Sequence, residues 1–178
     1  PIVTTEFNIE GYPSESFIEL VLSVKPHQIT LVPDAPDAIT SNAGWDTLTH
    51  QAFLKSIVSD FRVAGIRTSL FVEAEPQYIE GAKLIQTDRI ELYTESYAQH
   101  FATDKKQAVM PFVESAILAK ELGLGINAGH DLNLENLNYF ADTIPFLDEV
   151  SIGHALISDA LYLGLEKTVE IYKNCLKR

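Results

Sequence analysis

Three observations predict an α/β fold, read as six βα units of a TIM (β/α)8 barrel. Short β-branched apolar runs alternate with helical apolar spacing along the whole 178 residues. No low-complexity segment interrupts that alternation. Two consecutive units end their strand runs in the same way, Gly125-Ile-Asn-Ala-Gly-His130 and Val150-Ser-Ile-Gly-His154. The strand runs are near-continuously apolar, as expected of a parallel sheet covered on both faces. An open doubly wound sheet fits this pattern too. Pro1 is not an initiator and Met110 is the only methionine. The expectation is therefore a single barrel domain over 1–178 whose first two units lie outside this sequence, since barrels typically need about 250 residues.

The units follow in order. Ile2 to Ile9 reads as a strand, and Ser14 opens a helix through Phe17, Leu20, Val21 and Val24, flanked by Pro13 and Pro26. His27 to Val32 is the second strand. A polar loop from Asp34 to Asp46 leads to a helix with Leu48, Phe53, Leu54, Ile57, Val58 and Phe61 on its apolar spacing, closed by Gly65. Thr68 to Val72 is a strand, and Pro76 opens a helix to Ile85. Arg89 to Tyr93 is the fourth strand, followed by a loop and a helix from about Lys105 to Leu122, closed by Gly123. Gly125 to Ala128 and Val150 to Ile152 are the last strands. Asn133 to Thr143 is helical between them, and Ile157 to Leu176 ends the chain as one helix.

Composition narrows the function classes. A net charge of −12 and a pI near 4.7 argue against nucleic acid or an anionic membrane as partner. They leave room for an anionic substrate, because a few oriented N–H groups and His side chains decide the local field. No apolar run approaches the ~20 residues of a membrane helix, and no signal-peptide pattern is present. The one cysteine, Cys175, excludes an intramolecular disulfide framework and reads as structural or exposed.

A histidine where a parallel strand stops lies at the mouth of an α/β sheet or barrel, where such folds bind ligands. The preceding glycine permits positive φ or close approach of a ligand, and the following helix offers free N–H groups to an anion. Two such junctions in succession suggest a phosphate-handling site. Glu10 ends the first strand, and Glu91 lies inside another, where an unpaired carboxylate is costly to bury. For each the plain alternatives are a helix-terminus carboxylate and a structural ion pair.

Six segments then carry a resemblance. Phe7-Asn-Ile-Glu10, Lys25-Pro-His-Gln-Ile-Thr-Leu-Val-Pro33, Ile39-Thr-Ser-Asn-Ala-Gly-Trp-Asp46, Ile90-Glu-Leu-Tyr-Thr94, Leu124-Gly-Ile-Asn-Ala-Gly-His130 and Ser151-Ile-Gly-His-Ala155 occur in this order. Over essentially its whole length the chain resembles the pyridoxine 5'-phosphate synthases. The resemblance implies a (β/α)8 barrel, usually a homo-octamer, in bacterial cytoplasm. It implies condensation of 3-amino-2-oxopropyl phosphate with 1-deoxy-D-xylulose 5-phosphate to pyridoxine 5'-phosphate, phosphate and water, with no metal or organic cofactor. The family's N-terminal Asn-hydrophobic-Asp-His strand and His-Leu-Arg-Glu-Asp-Arg-Arg-His segment do not occur here. One catalytic histidine and several basic residues of the family pattern thus fall outside the match, which covers strands three to eight.

Carried over residue by residue, the resemblance makes Glu10, Glu91 and His130 catalytic. Glu10 moves protons, Glu91 stabilises the transition state, and His130 accepts and returns protons. Gly153 and His154 match the amino-ketone phosphate site, and Thr40, in a loop that closes over substrate, matches a contact to deoxyxylulose phosphate. Asp131 stands where glycine is common. It either supplies a backbone N–H to phosphate with its carboxylate turned away, or caps a helix starting near Asn133. Glu6 should lie deeper along its strand or at its start, Trp45 should pack or anchor a loop hinge, and His27 and His50 should be structural or exposed. An isomerase or aldolase barrel would want a strand-end lysine or a metal cluster, and neither spacing is present. A non-catalytic barrel remnant is the alternative from another class.

Overall fold

The computed structural model describes residues 2–34, 38 and 41–177. Thr40 lies outside the described residues. The elements run β1 (Asn8–Gly11), α1 (Glu15–Val24), β2 (Gln28–Leu31), α2 (Gln51–Val63), β3 (Arg67–Val72), α3 (Pro76–Ile85) and β4 (Arg89–Tyr93). They continue with α4 (Glu95–Glu121), β5 (Gly125–His130), α5 (Leu137–Thr143), β6 (Leu147–Ile152), α6 (His154–Leu163) and α7 (Leu165–Cys175). All neighbouring strands are parallel, in the order β1-β2-β3-β4-β5-β6. Because parallel crossovers are right-handed, an order without reversal puts every connecting helix on one face. A doubly wound sheet would reverse at a switch point, so that alternative falls.

The other face closes on itself. Gln28 on β2 donates Nε2–H to Glu149 Oε2 on β6 at 3.1 Å. In a flat sheet four strand spacings would keep those strands about 19 Å apart. The sheet is therefore strongly curled, a half-barrel with polar residues inside. The expectation of apolar strands on both faces is corrected accordingly. Ile29, Leu31, Leu70, Val72, Ile90, Leu92, Ile126 and Ala128 point outward into one core with Leu54, Phe61, Ile79, Ile85, Phe112, Phe140 and Tyr172 of the helices. Alternate residues turn inward, as strand pleating requires.

At the amino-terminal end of the strands the inward layer is ionic. Glu149 accepts from Arg67 at 3.1 Å and from Arg89 at 3.0 Å, and Glu6 pairs with Arg67. Glu6 thus sits at the end away from the strand carboxyl termini, deeper than Glu10.

Several boundaries differ from expectation. Ile2 and Val3 are exposed and lie outside any strand, so β1 begins only at Asn8. Helix starts at Glu95 rather than Lys105, with a kink at Asp104 (φ −152°, ψ 91°) whose carboxylate caps the N–H groups of Lys106 and Gln107 at 3.0 Å. β6 begins at Leu147, ahead of the expected Val150. The last helix is two helices, divided at Gly164 (φ +83°). Ser14 does cap α1, accepting from the Phe17 N–H at 3.3 Å.

Candidate active site

The carboxyl ends of the strands surround a cavity of about 360 Å³. Glu10 enters it from β1, Glu91 from β4 and His130 from β5. Ser151, Ile152, Gly153 and His154 close one side, and Phe71 and Ser41 another. Five expected site residues, Glu10, Glu91, His130, Gly153 and His154, share this one wall. Asp131 is adjacent in sequence but is not part of it.

Glu91 is 1% exposed. Thr30 Oγ1 lies 3.3 Å from its Oε2. Desolvation pushes its pKa up to about 8, with the like charge of Glu10 adding, while hydrogen bonds from Ser151 and Thr30 oppose the rise. Gly129 of β5, opposite Tyr93, also abuts its carboxylate, and a Cβ there would fall 2.6 Å from Glu91 Oε1 and 2.7 Å from the Ser151 carbonyl oxygen. That glycine is therefore there for close approach, and its φ is not positive. Gly129→Ala should cost about 1–3 kcal/mol by overpacking, measured by chemical denaturation, with Glu91 displaced from the wall.

Glu10 keeps a face open to solvent. Desolvation of its carboxyl nonetheless raises its pKa; the field of His130 opposes this and that of Asp34 adds to it. His130 has φ +101°, unusual for a residue with a side chain. Its ring stands edge-on to Tyr93, centroids 5.1 Å apart, and tilted against Phe71 at 6.4 Å. Its Nδ1 lies 2.7 Å from Asp131 Oδ2. Asp131 does not cap α5: that helix begins at Leu137, and Asn133 Oδ1 accepts the N–H groups of Glu135 and Asn136 in the preceding turn.

Gly153 precedes α6 with φ −97°, so it does not require the left-handed region, and a methyl group at this position would meet nothing within 4 Å. His154 is the first residue of α6, at the positive end of that helix dipole. Trp45 packs, 3% exposed, and donates Nε1–H to the Leu31 carbonyl at 2.9 Å. His27 accepts the Phe7 N–H at 3.0 Å, and His50 stacks edge-on to Trp45 at 5.3 Å. Both are structural.

Sequence reasoning passed over Ser41, Phe71 and Ser151 as wall residues. Ser151 could have been found, because it falls two residues before Gly153 and so shares its strand face. Ser41 is brought in by tertiary contacts: its hydroxyl donates to Asp34 at 2.5 Å, and its carbonyl accepts from Tyr93 at 3.1 Å. Among the described residues no group of three or more His, Cys, Asp or Glu side chains is placed to hold a metal ion.

Comparison with known proteins gives this wall its context. The family model described as pyridoxal phosphate biosynthesis protein PdxJ matches residues 1–178. The chain belongs to this family. It is 62% identical to the pyridoxine 5'-phosphate synthase of Bacteroides thetaiotaomicron over 177 residues, covering 99% of this chain and 75% of that protein. The synthase of Christiangramia forsetii is 60% identical over 177 residues, with the same coverage, 99% and 75%. Among solved structures, the tryptophan synthase A-subunit of Pyrococcus furiosus superposes with TM-score 0.61 at 15% identity, over 98% of this chain and 66% of that one. Citrate synthase SbnG gives 0.59 at 12% identity, over 97% and 73%. At such identities the likeness concerns the fold alone, and it agrees with a TIM-like sheet.

Proposed function

We propose that this chain carries the pyridoxine 5'-phosphate synthase reaction, condensing 3-amino-2-oxopropyl phosphate with 1-deoxy-D-xylulose 5-phosphate and releasing phosphate and water. Family membership and the names of relatives about 60% identical support it. The observation that carries it structurally is the convergence of Glu10, Glu91 and His130 on one small cavity.

Imine formation, dehydration and ring closure each move protons, and the wall offers groups for both directions. A protonated Glu91 donates or stabilises, as its raised pKa favours. Glu10 and His130, at the open side, take protons and return them. The α6 amino terminus with Gly153 and His154 supplies N–H groups and an imidazole to a phosphate. Gly153 suits this because a methyl there would project into space that a ligand oxygen can use. The Asp131 N–H and the Thr40 hydroxyl complete the expected substrate contacts. An aldolase using a Schiff-base lysine is disfavoured, since the described cavity wall contains no lysine.

The curl and the sequential strand order support the finer architecture, six of the eight units of one TIM-barrel domain. The quarter of the relatives' length beyond the match leaves room for two more units. Ile157, Leu161, Tyr162 and Leu165 expose an apolar stripe on α6 and α7, which supports a homo-oligomer, octameric on the family resemblance. No helix among the described residues is long and apolar enough to cross a membrane, consistent with the cytoplasmic location the resemblance implies.

The test is phosphate release by the full-length protein. Release should need both substrates together. Equal release from deoxyxylulose phosphate alone would overturn the condensation reading.

A further inference from the structure

Consecutive residues of a regular strand point to opposite faces, so His130 and Asp131 should not meet. They do meet, at 2.7 Å from Nδ1 to Oδ2, because β5 ends with His130 at φ +101°. That backbone is strained by about 1–3 kcal/mol for a residue with a Cβ. The strain turns the Asp131 carboxylate back beside the ring, out of the cavity wall to which His130 belongs. The imidazole is 19% exposed and the carboxylate 37%. The contact is thus sheltered on the ring side.

We propose that Asp131 is the positioning residue of His130. Its carboxylate accepts Nδ1–H and so fixes the tautomer that leaves Nε2 as the ring atom for proton exchange with substrate. When Nε2 takes a proton from the substrate, the carboxylate stabilises the imidazolium. The proton leaves from the same nitrogen in the later dehydration, and nothing else is consumed. This rests on the catalytic role given to His130 above, and it assigns the Asp131 side chain work of its own. A glycine at this position could supply the backbone N–H but not the carboxylate.

The charged and titratable groups facing His130 act in both directions. Glu10 from β1, Glu91 and Tyr93 from β4 and His154 from α6 share its surroundings, with Asp131 next to it in the chain. Glu10 and Asp131 both favour imidazolium when ionised, and His154 disfavours it when charged. Removing Asp131 therefore leaves a smaller bias toward the charged ring, with Glu10 still present.

The experiment is NMR of the full-length protein with ¹⁵N-labelled histidine, with the His130 signals assigned by their loss in His130→Asn. In the wild-type protein His130 should be the Nδ1–H tautomer when neutral. Asp131→Asn removes the carboxylate charge and keeps the shape of the side chain. In that variant kcat should fall about tenfold with KM changed less than about threefold, and Asp131→Glu should restore part of it. A wild-type Nε2–H tautomer overturns the proposal without any variant being needed. So does a loss confined to KM in Asp131→Asn, which would instead mark phosphate binding. The tautomer is read without substrate. Failure of the synthase reading would appear separately, as a wild-type protein with the expected tautomer but no condensation.

Discussion

Glu91→Gln should lower turnover by ~10²-fold or more and at the same time make the protein harder to unfold near neutral pH. The two effects share one cause. Glu91 is buried inside the curled sheet, and its pKa rises from an ordinary 4.5 to about 8, first by desolvation and then by the Glu10 charge. Between those values the folded protein holds a proton that the unfolded chain releases. Stability is therefore full below about pH 4.5 and falls as pH rises through about 8. Glutamine is neutral at every pH, fits the same space and still meets the Thr30 hydroxyl. Its advantage should grow from about pH 5 to pH 8 and reach about 1–3 kcal/mol. Each pH unit between the two values is worth at most about 1.4 kcal/mol, and relaxation around the ionised group reduces the total. Urea unfolding at about pH 5, 7 and 8.5 brackets that window and measures it. A variant no more stable than the parent at the alkaline end would mean that the carboxyl is not held neutral. Full turnover would remove Glu91 from the chemistry.

That combination explains why the sheet interior was hard to read from sequence. The outward residues of each strand are a plain signal, because helices cover them and Ile, Leu and Val recur. The inward residues at Gln28, Thr30, Arg67, Ser69, Arg89, Glu91 and Asn127 are polar, and in isolation they look like noise on an apolar run. Adjacent strands partner some of them, as Arg67 with Gln28 and Arg89 with Asn127, and the curl adds Glu149 of β6 as a partner for Gln28 and Arg67, while the Ser69 hydroxyl has none among the described residues. Strand order and direction were legible, since each unit repeats one pattern. Element ends were less so. Asp104 and Gly164 act through local capping and a positive φ that periodicity does not report. The residue before Asp131 shows the same limit at the site. The glycines of the two Gly-His junctions were expected to allow positive φ or close approach, yet in the first junction it is His130 that adopts positive φ. Placing Glu10, Glu91, His130, Gly153 and His154 at one mouth needed only that parallel strands share a direction. The cavity-side position of Ser41 depends on contacts far apart in the chain.

Glu10→Gln and His130→Asn should each reduce kcat by ~10²-fold or more with KM changed only a few-fold, if each transfers a proton in the transition state. Asparagine is the right replacement at 130 because it tolerates positive φ, so the β5 end should keep its shape. The double variant should be little slower than the worse single one, since two groups serving the same proton transfers do not lose independently. Their pH profiles separate the roles. Desolvation already holds the Glu10 carboxyl above its ordinary 4.5, and the field of His130 pulls it partway back. If ionised Glu10 is the base, the acidic limb of kcat/KM belongs mainly to it, as one member of a coupled pair. Removing the imidazole should then shift the limb of the residual activity to higher pH, because the stabilising charge is gone. Removing Glu10 should erase that limb. A limb that survives in Glu10→Gln at its original position would assign it to another group. Glu10 would then be left a bystander on a wall whose chemistry runs between Glu91 and His130.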